Sequence, residues 1–415
     1  MPLHSYVIIA IVLLSILCMM LRPRGIADAY WACGGALLLI LLGLLPLRDA
    51  GHAVLEGLDV YLFLAGMMML AEMAREEGVF EWVADQAARH ARGSSSRLFT
   101  LIYLAGIVVT ALFSNDATAV VLTPAVLAVI RKARVEPKPY VLACALIANA
   151  ASFVLPISNP ANLVVFGKSL PPLWLWIRAF LLPSVASIAI TFFVLRFLSS
   201  QDLKGQVQDS NIPAVLSPSA KLALWGLALA SVTLIVCSAI GTDLGAPTCI
   251  AAIAAVLLVY ARDRQVPARV VKTVSWSVLP LVAGLFAIVQ ALQDAGLLRY
   301  GLDALWNLTR MPAVVGNLSA ALSVGLLSNA MNNLPVGLMS GEAVHGFAHS
   351  GTITHSILIG VDLGPNLSVT GSLATILWLI ALRREKVEIT AWQFFKVGVV
   401  AMPLALFGSI LLVGR

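Results

Sequence analysis

The sequence predicts an all-α polytopic membrane protein built as two inverted-topology repeats, each with five spanning helices, one of them interrupted, and one re-entrant helical hairpin. Three observations predict it. Of 415 residues, 60% are apolar and 12% charged, with a mean hydropathy of +0.93; a soluble domain carries about twice that charge. Apolar runs of spanning length alternate with short basic clusters. The motifs of the first half return in the second.

The spans read, in order, as Tyr6–Leu21, Tyr30–Leu47, Leu58–Ala74, Pro139–Gly167 and Trp174–Leu198, then Ala220–Ile240, Pro247–Ala261, Val274–Leu292, Thr354–Leu382 and Trp392–Val413. No basic residue precedes Tyr6–Leu21 and no small-residue cleavage site follows it, so it reads as a span rather than a signal peptide. Two further apolar regions, about 98–130 and 312–341, are broken midway by polar clusters. Each half of such a region is only about fifteen residues, short for a crossing, and each pair reads as a re-entrant hairpin. The first repeat covers 1–198, a polar cytoplasmic linker 199–219, and the second repeat 220–415; interrupted helices are expected at about 139–167 and 354–382.

Ten crossings place all but six of the 27 basic residues on one side, which the positive-inside rule makes cytoplasmic. Arg48, Lys168, Arg178, Arg299, Arg310 and Arg415 are the exceptions, and both termini come out external. The net charge of +6 thus belongs to cytoplasmic loops and does not point to nucleic acid. Phe63–Gly66 is echoed by Leu281–Gly284, Glu76–Gly78 by Gln293–Gly296 and Ser114-Asn115 by Ser328-Asn329, with the offset drifting from 218 to 214. Five crossings per half force the halves into opposite orientation, the plan of secondary transporters.

In hydrocarbon every amide needs a hydrogen-bond partner, so polar clusters face a cavity or a bundle interior. The first hairpin carries Ser114, Asn115, Asp116 and Thr118; the second carries Ser328, Asn329, Asn332 and Asn333. The interrupted helices carry Ser158, Asn159 and Asn162 in one half, and Asp362, Thr370 and Ser372 in the other, among prolines and glycines that favour local unwinding. A single such break reads as a proline kink. Two breaks and two polar tips at corresponding places read as a site for a small solute. Neither Leu98–Ile130 nor the stretch between Met311 and Leu382 holds a Lys or Arg. Asn, Ser and Thr each donate and accept, which favours a neutral polyhydroxy solute and leaves an anion open. In the drifting register Asp116 faces Ala330 and Asp362 faces Ala150, so neither acid has a counterpart. Both are candidates for proton or cation coupling, or for capping a half-helix.

Five scattered cysteines (Cys18, Cys33, Cys144, Cys237 and Cys249) read as packing residues, without metal-ligand spacing or a disulfide pattern. His345, His349 and His355 read as solvated residues of an external loop. No cofactor motif is present, and HExxH and GxSxG, marks of a membrane-embedded enzyme, are absent.

The runs Leu112–Pro124, Ile157–Asn162, Ser328–Pro335 and Gly360–Pro365, followed by Thr370–Trp378, resemble the signatures of the arsenite efflux permeases, the arsenical pump membrane protein family of the ion transporter superfamily. The resemblance covers nearly the whole chain. It implies export of arsenite, As(OH)3, and antimonite in exchange for protons, by a transport unit that moves like an elevator against a scaffold in a prokaryotic inner membrane. It leaves room for a soluble arsenite-stimulated ATPase subunit as partner. Sodium/proton antiport or sodium-coupled carboxylate transport, found elsewhere in the superfamily, is the alternative. Undissociated As(OH)3 is a small neutral triol, in keeping with the neutral clusters; no cysteine falls within them, so hydrogen bonding rather than thiolate ligation is expected.

Overall fold

The computed structural model describes residues 3–207, 216–345 and 351–414. Twenty α-helices run through them, ten in each half. The first half holds α1 (Leu3–Leu21), α2 (Asp28–Leu41), α3 (Leu47–Glu56), α4 (Leu58–Glu76), α5 (Val79–His90), α6 (Ser95–Phe113), α7 (Thr123–Ala133), α8 (Lys138–Ala150), α9 (Pro160–Phe166) and α10 (Leu173–Leu198). The second holds α11 (Pro218–Ile240), α12 (Gly245–Tyr260), α13 (Val266–Thr273), α14 (Val278–Asp294), α15 (Leu298–Thr309), α16 (Ala313–Met331), α17 (Asn333–His345), α18 (Gly351–Leu363), α19 (Leu373–Arg384) and α20 (Ala391–Ile410).

Local chemistry sets many of the ends. Ser94 Oγ accepts from Arg97 N at the start of α6, and Ser217 Oγ accepts from Ala220 N beside a first-turn proline in α11. Thr390 and Gln393 close a reciprocal capping box on α20. Gly241, at φ 75°, ends α11 in the left-handed conformation that a helix C-terminus favours.

Among the described residues, six helices are long and apolar enough to cross a membrane: α1, α6, α10, α11, α16 and α20. The count rises to eight if α3 with α4 (bent by 47°) and α13 with α14 (bent by 40°) are each one span. Those short leading helices are absent from the sequence-based expectation. Pro46 ends the run after α2 and starts α3, so the span expected over Tyr30–Leu47 is a helix of only 14 residues. The first arms of both hairpins are 19 residues rather than about fifteen: α6 begins at the Ser94 cap upstream of Leu98, and α16 continues through Ser328 and Asn329 to Met331.

The halves also share a firmer register than motif echoes give. α6 and α16 have equal length and end on residues of nearly the same unusual backbone: Ser114 (φ 91°, ψ 158°) and Asn332 (φ 75°, ψ 152°). Ser114 therefore pairs with Asn332, not with Ser328, at the offset of 218 (332 − 114) that the starts of α10 and α20 also show (391 − 173).

Two packed bodies emerge. In one, α4 lies on α12, α11 on α12, α14 on α2 and α1 on α2. In the other, α6 lies on α8, α16 on α18, α10 on α20 and α17 on α9. An Arg269 ion-pair cluster with Glu76, Glu77 and Asp263 clamps α13 to the end of α4 in the first body. Arg131 pairs with Glu385 at 2.6 Å, tying α7 to the end of α19 in the second. His355 belongs to α18, half-buried with its ring 5.0 Å from that of Phe180, and is not a solvated loop residue. His349 lies outside the described residues.

Candidate functional site

Two cavities open between the bodies, strung along α4 and α14. One, of about 480 Å³, is lined by Leu64, Met67 and Met68 of α4 and by the hairpin-tip residues Ser114, Asp116 and Ala117. Its mouth carries Glu72, Arg75, Glu81, Arg384 and Glu385, at the end where the basic loops lie. Burial pushes the Glu81 carboxyl above its ordinary range, against the pull of Arg75. The other cavity, about 880 Å³, lies at the opposite end of α4, where Asp59, Asp243, Glu342 and His355 line it with residues of α9 and α14.

The first tip turns at Ser114, continues through a π-helical turn over Ala117–Leu122 and enters α7. Asn115 is buried, and its Oδ1 has no hydrogen-bond partner. Thr118 faces inward: its hydroxyl meets that of Thr110 at 2.8 Å and its carbonyl accepts from Thr123 Oγ1. It stiffens the hairpin.

The second tip is bound to the broken helix beside it. Asn329 Nδ2 donates to Gly325 O (2.7 Å) and Gly364 O (2.9 Å), while its Oδ1 accepts from Ser368 Oγ (2.6 Å) and its carbonyl from Thr370 Oγ1 (3.1 Å). Ser328 Oγ donates to Val324 O within its own helix. Asn332 Oδ1 accepts from Leu334 N, and Asn332 lines a small recess with Met19, Met20, Asp28, Met331 and Thr370. Asn333 is buried at the start of α17.

Where α8 breaks, a 3-10 turn over Pro156–Ser158 leads to Asn159, extended, which caps α9 by accepting from Ala161 N. Ser158 Oγ donates to Ala111 O, anchoring the break to the hairpin. Asn162 Nδ2 sits in a cradle of three carbonyls, those of Ser152 (2.9 Å), Leu155 (3.2 Å) and Pro156 (3.2 Å). Asn159 Nδ2 donates at 2.7 Å to Oδ1 of Asp362, which is wholly buried in α18. In the other broken helix a 3-10 turn over Val369–Gly371 leads to Ser372, which caps α19 by accepting from Thr375 N.

The sequence-predicted residues therefore divide. Ser114 and Asp116 line the first cavity, while Asn332 and Thr370 meet at the small recess. Thr118, Ser158 and Ser328 spend their hydroxyls on the fold. Asn159 and Asp362 pair with each other across 203 residues of chain. Reasoning from motifs passed over a buried amide network: Asn149 Nδ2 donates to Asn366 Oδ1 (3.0 Å), whose Nδ2 donates to Leu146 O (3.0 Å). The available signal was that both asparagines flank the proline breaks, where freed backbone groups need partners.

The chain resembles known proteins along its length. It is 28% identical to the arsenical pump membrane protein of Escherichia coli over 416 residues, covering 96% of both chains. The Yersinia enterocolitica protein of the same name is 28% identical over 420 residues, again covering 96% of each. Among solved structures, the YdaH transporter of Alcanivorax borkumensis shares the fold, with a TM-score of 0.57 at 17% identity, over 90% of this chain and 87% of that one. The family profile described as "Citrate transporter" matches residues 9–363. Spanning helices, two bodies with cavities between them and a profile match over most of the sequence agree: the chain belongs to the citrate transporter family.

Proposed function

We propose that the chain is a secondary transporter, not an enzyme, that exports arsenite and antimonite as neutral trihydroxides in exchange for protons. The observation that carries this reading is the cation-free make-up of the tips: apart from Asp116, asparagine, serine and threonine donors and acceptors with no lysine or arginine among them, in a chain similar over 96% of its length to an arsenical pump membrane protein. A triol both donates and accepts, which these side chains match. Ser114, Asn115, Asn332 and Asn333 hold the solute, with Asn329, Asn159, Asn162, Thr370 and Ser372 shaping the seat. Asp116, on the cavity, and Asp362, buried behind it, couple protons.

The two halves, 1–198 and 220–415, sit in opposite orientation in a prokaryotic inner membrane, with both termini external and the linker cytoplasmic. The site residues lie on the body that contains α6–α10 and α16–α20, and the cavities lie between that body and the other. This arrangement supports an elevator-type movement of one body past the other. A soluble ATPase subunit is a partner the relatives' name permits, and nothing in the fold requires it.

A second reading, a carboxylate carrier with sodium coupling, is favoured by the family's description. Against it, the cations that line the first cavity are Arg75 and Arg384 at its mouth, and Arg75 is committed to Glu72 and Glu76. Everted vesicles separate the two. Arsenite is expected to accumulate under an acid-inside gradient, to be lost with a protonophore and to ignore both sodium and citrate. Sodium-dependent citrate uptake without arsenite accumulation would establish the second reading. Asp116→Asn is expected to abolish gradient-driven accumulation; full activity in that variant removes Asp116 from the coupling.

A further inference from the structure

The two broken helices carry the same landmarks at one offset, 213 residues (363 − 150, 368 − 155 and 372 − 159). α8 ends at Ala150 and α18 at Leu363. Leu155 and Ser368 are extended before their 3-10 turns, and Asn159 and Ser372 are extended caps of α9 and α19. In this register Asp362 stands opposite Asn149, not Ala150, and Asn162 stands opposite Thr375.

The contacts follow the register. Asn159 donates to Asp362, and its twin Ser372 donates to Asn149 Oδ1 at 3.4 Å. Asn149 then uses its own N–H on Thr375 Oγ1, at 3.4 Å. In this register Asp362 and Asn162 take the places of Asn149 and Thr375, but neither offers the other a donor: Asp362 Oδ2 and Asn162 Oδ1 are both buried and both without a hydrogen-bond partner. Turning the Asn162 amide over does not help, since its oxygen would then face the three carbonyls that now accept from its nitrogen.

We propose that Asp362 is the group that carries the transported proton, holding it on Oδ2 as a donor to Asn162 Oδ1, in the place that an Asn149 N–H fills permanently in the other half. A carboxylic acid is nearly isosteric with an amide, so the loaded form copies the neutral twin. The unloaded form leaves a carboxylate facing a carbonyl oxygen in a dry interior, which is costly. The loaded form is therefore the one suited to the state in which the moving body is closed to both cavities. One proton enters, one leaves, and no other bond changes. Asn162 is a positioning residue for that proton rather than a solute ligand.

Among the described residues, the elements packed on α18 bring Asp362 no counter-charge. α9 and α16 carry no ionisable side chain. On α8, Lys138 is at the far end, Tyr140 donates to Ser95 O, and Cys144 lies beside Thr123. Glu342 of α17 and His355 of α18 line the other cavity, and Lys396 of α20 lies over the Trp392 ring.

The inference rests on the proton-coupled reading above and is tested on the full chain in lipid nanodiscs, without solute. Infrared difference spectra across a pH titration should show a protonated-carboxyl band. The Asp362 component of that band should be lost in Asp362→Asn while the Asp116 component stays, and it should be shifted in Asn162→Leu and kept in Asn162→Thr, which copies Thr375. Asp362→Asn, which copies Asn149, should melt with the wild type and lose gradient-driven accumulation completely. A protonated-carboxyl band left unchanged by Asp362→Asn, or an Asp362 carboxyl that responds to sodium at constant pH instead of to pH, overturns the proposal. If the band titrates at Asp362 in a protein that moves no arsenite, the proposed function falls and this inference stands. If arsenite accumulation survives Asp362→Asn, the reverse holds.

Discussion

Replacing Gly364 by alanine tests how the second tip is held. An added Cβ would lie 2.4 Å from Gly325 Cα, 2.6 Å from its carbonyl oxygen and 2.8 Å from its carbonyl carbon. All three are main-chain atoms of α16, so no rotamer change relieves the overlap. Carbon atoms in contact prefer about 3.5–4.0 Å, and α16 must retreat by about 1 Å. The Asn329 Nδ2 bond to Gly364 O, now 2.9 Å, is then stretched or lost, and the Ser368 and Thr370 bonds to Asn329 loosen with it. Overpacking costs about 1–3 kcal/mol and the lost hydrogen bond about 1 kcal/mol. The sum, about 2–4 kcal/mol, is roughly a 30- to 700-fold change in the folding equilibrium. The assay is reversible unfolding of the purified protein in mixed micelles, followed by tryptophan fluorescence. Gly34→Ala in α2 is the control, because nothing lies within 4 Å of its added Cβ; it should be neutral or gain up to about 1 kcal/mol. If the two variants unfold alike, the close approach of Gly325 and Gly364 is refuted.

Ser114 and Asn332 hold backbone angles that only glycine adopts freely, at a strain of about 1–3 kcal/mol each. Ser114→Gly and Asn332→Gly should each therefore unfold no more easily than wild type, despite glycine's chain-entropy cost of about 1 kcal/mol, while arsenite binding weakens. Loss of stability in both would show the strain is not there. Asn333→Ala, free of that backbone constraint, should weaken arsenite binding while leaving the turn intact, as read by equilibrium binding with purified protein. A variant lacking all five cysteines should still confer arsenite resistance, since none lines the cavity beneath the first tip; loss of transport would restore thiolate ligation.

Much of this protein was legible before any coordinates. A bilayer requires about twenty apolar residues per crossing and satisfied backbone groups within it, so spans, breaks and polar tips are written as length and composition. Pro156, Pro160 and Pro365 marked the broken helices, and Asn115 and Asn329 marked the hairpins. The motif echoes were weaker guides. Matching Ser114-Asn115 to Ser328-Asn329 follows identity of side chains, whereas the chain turns at Ser114 and at Asn332, because the backbone conformation rather than the residue type recurs.

What the sequence determined by itself is the membrane class, the plan of spans, hairpin and broken helix in each half, and the cation-free chemistry of the tips. Only the tertiary structure decided which polar groups are spent on the fold, as with Thr118, Ser158 and Ser328, and which are left over. Asp362 finds Asn159 across 203 residues and Asn149 finds Asn366 across 217. Hydrophobic length is a local property that a window of sequence contains, whereas the partner of a buried hydrogen-bonding group is fixed by the crossing of two distant segments, which no window contains.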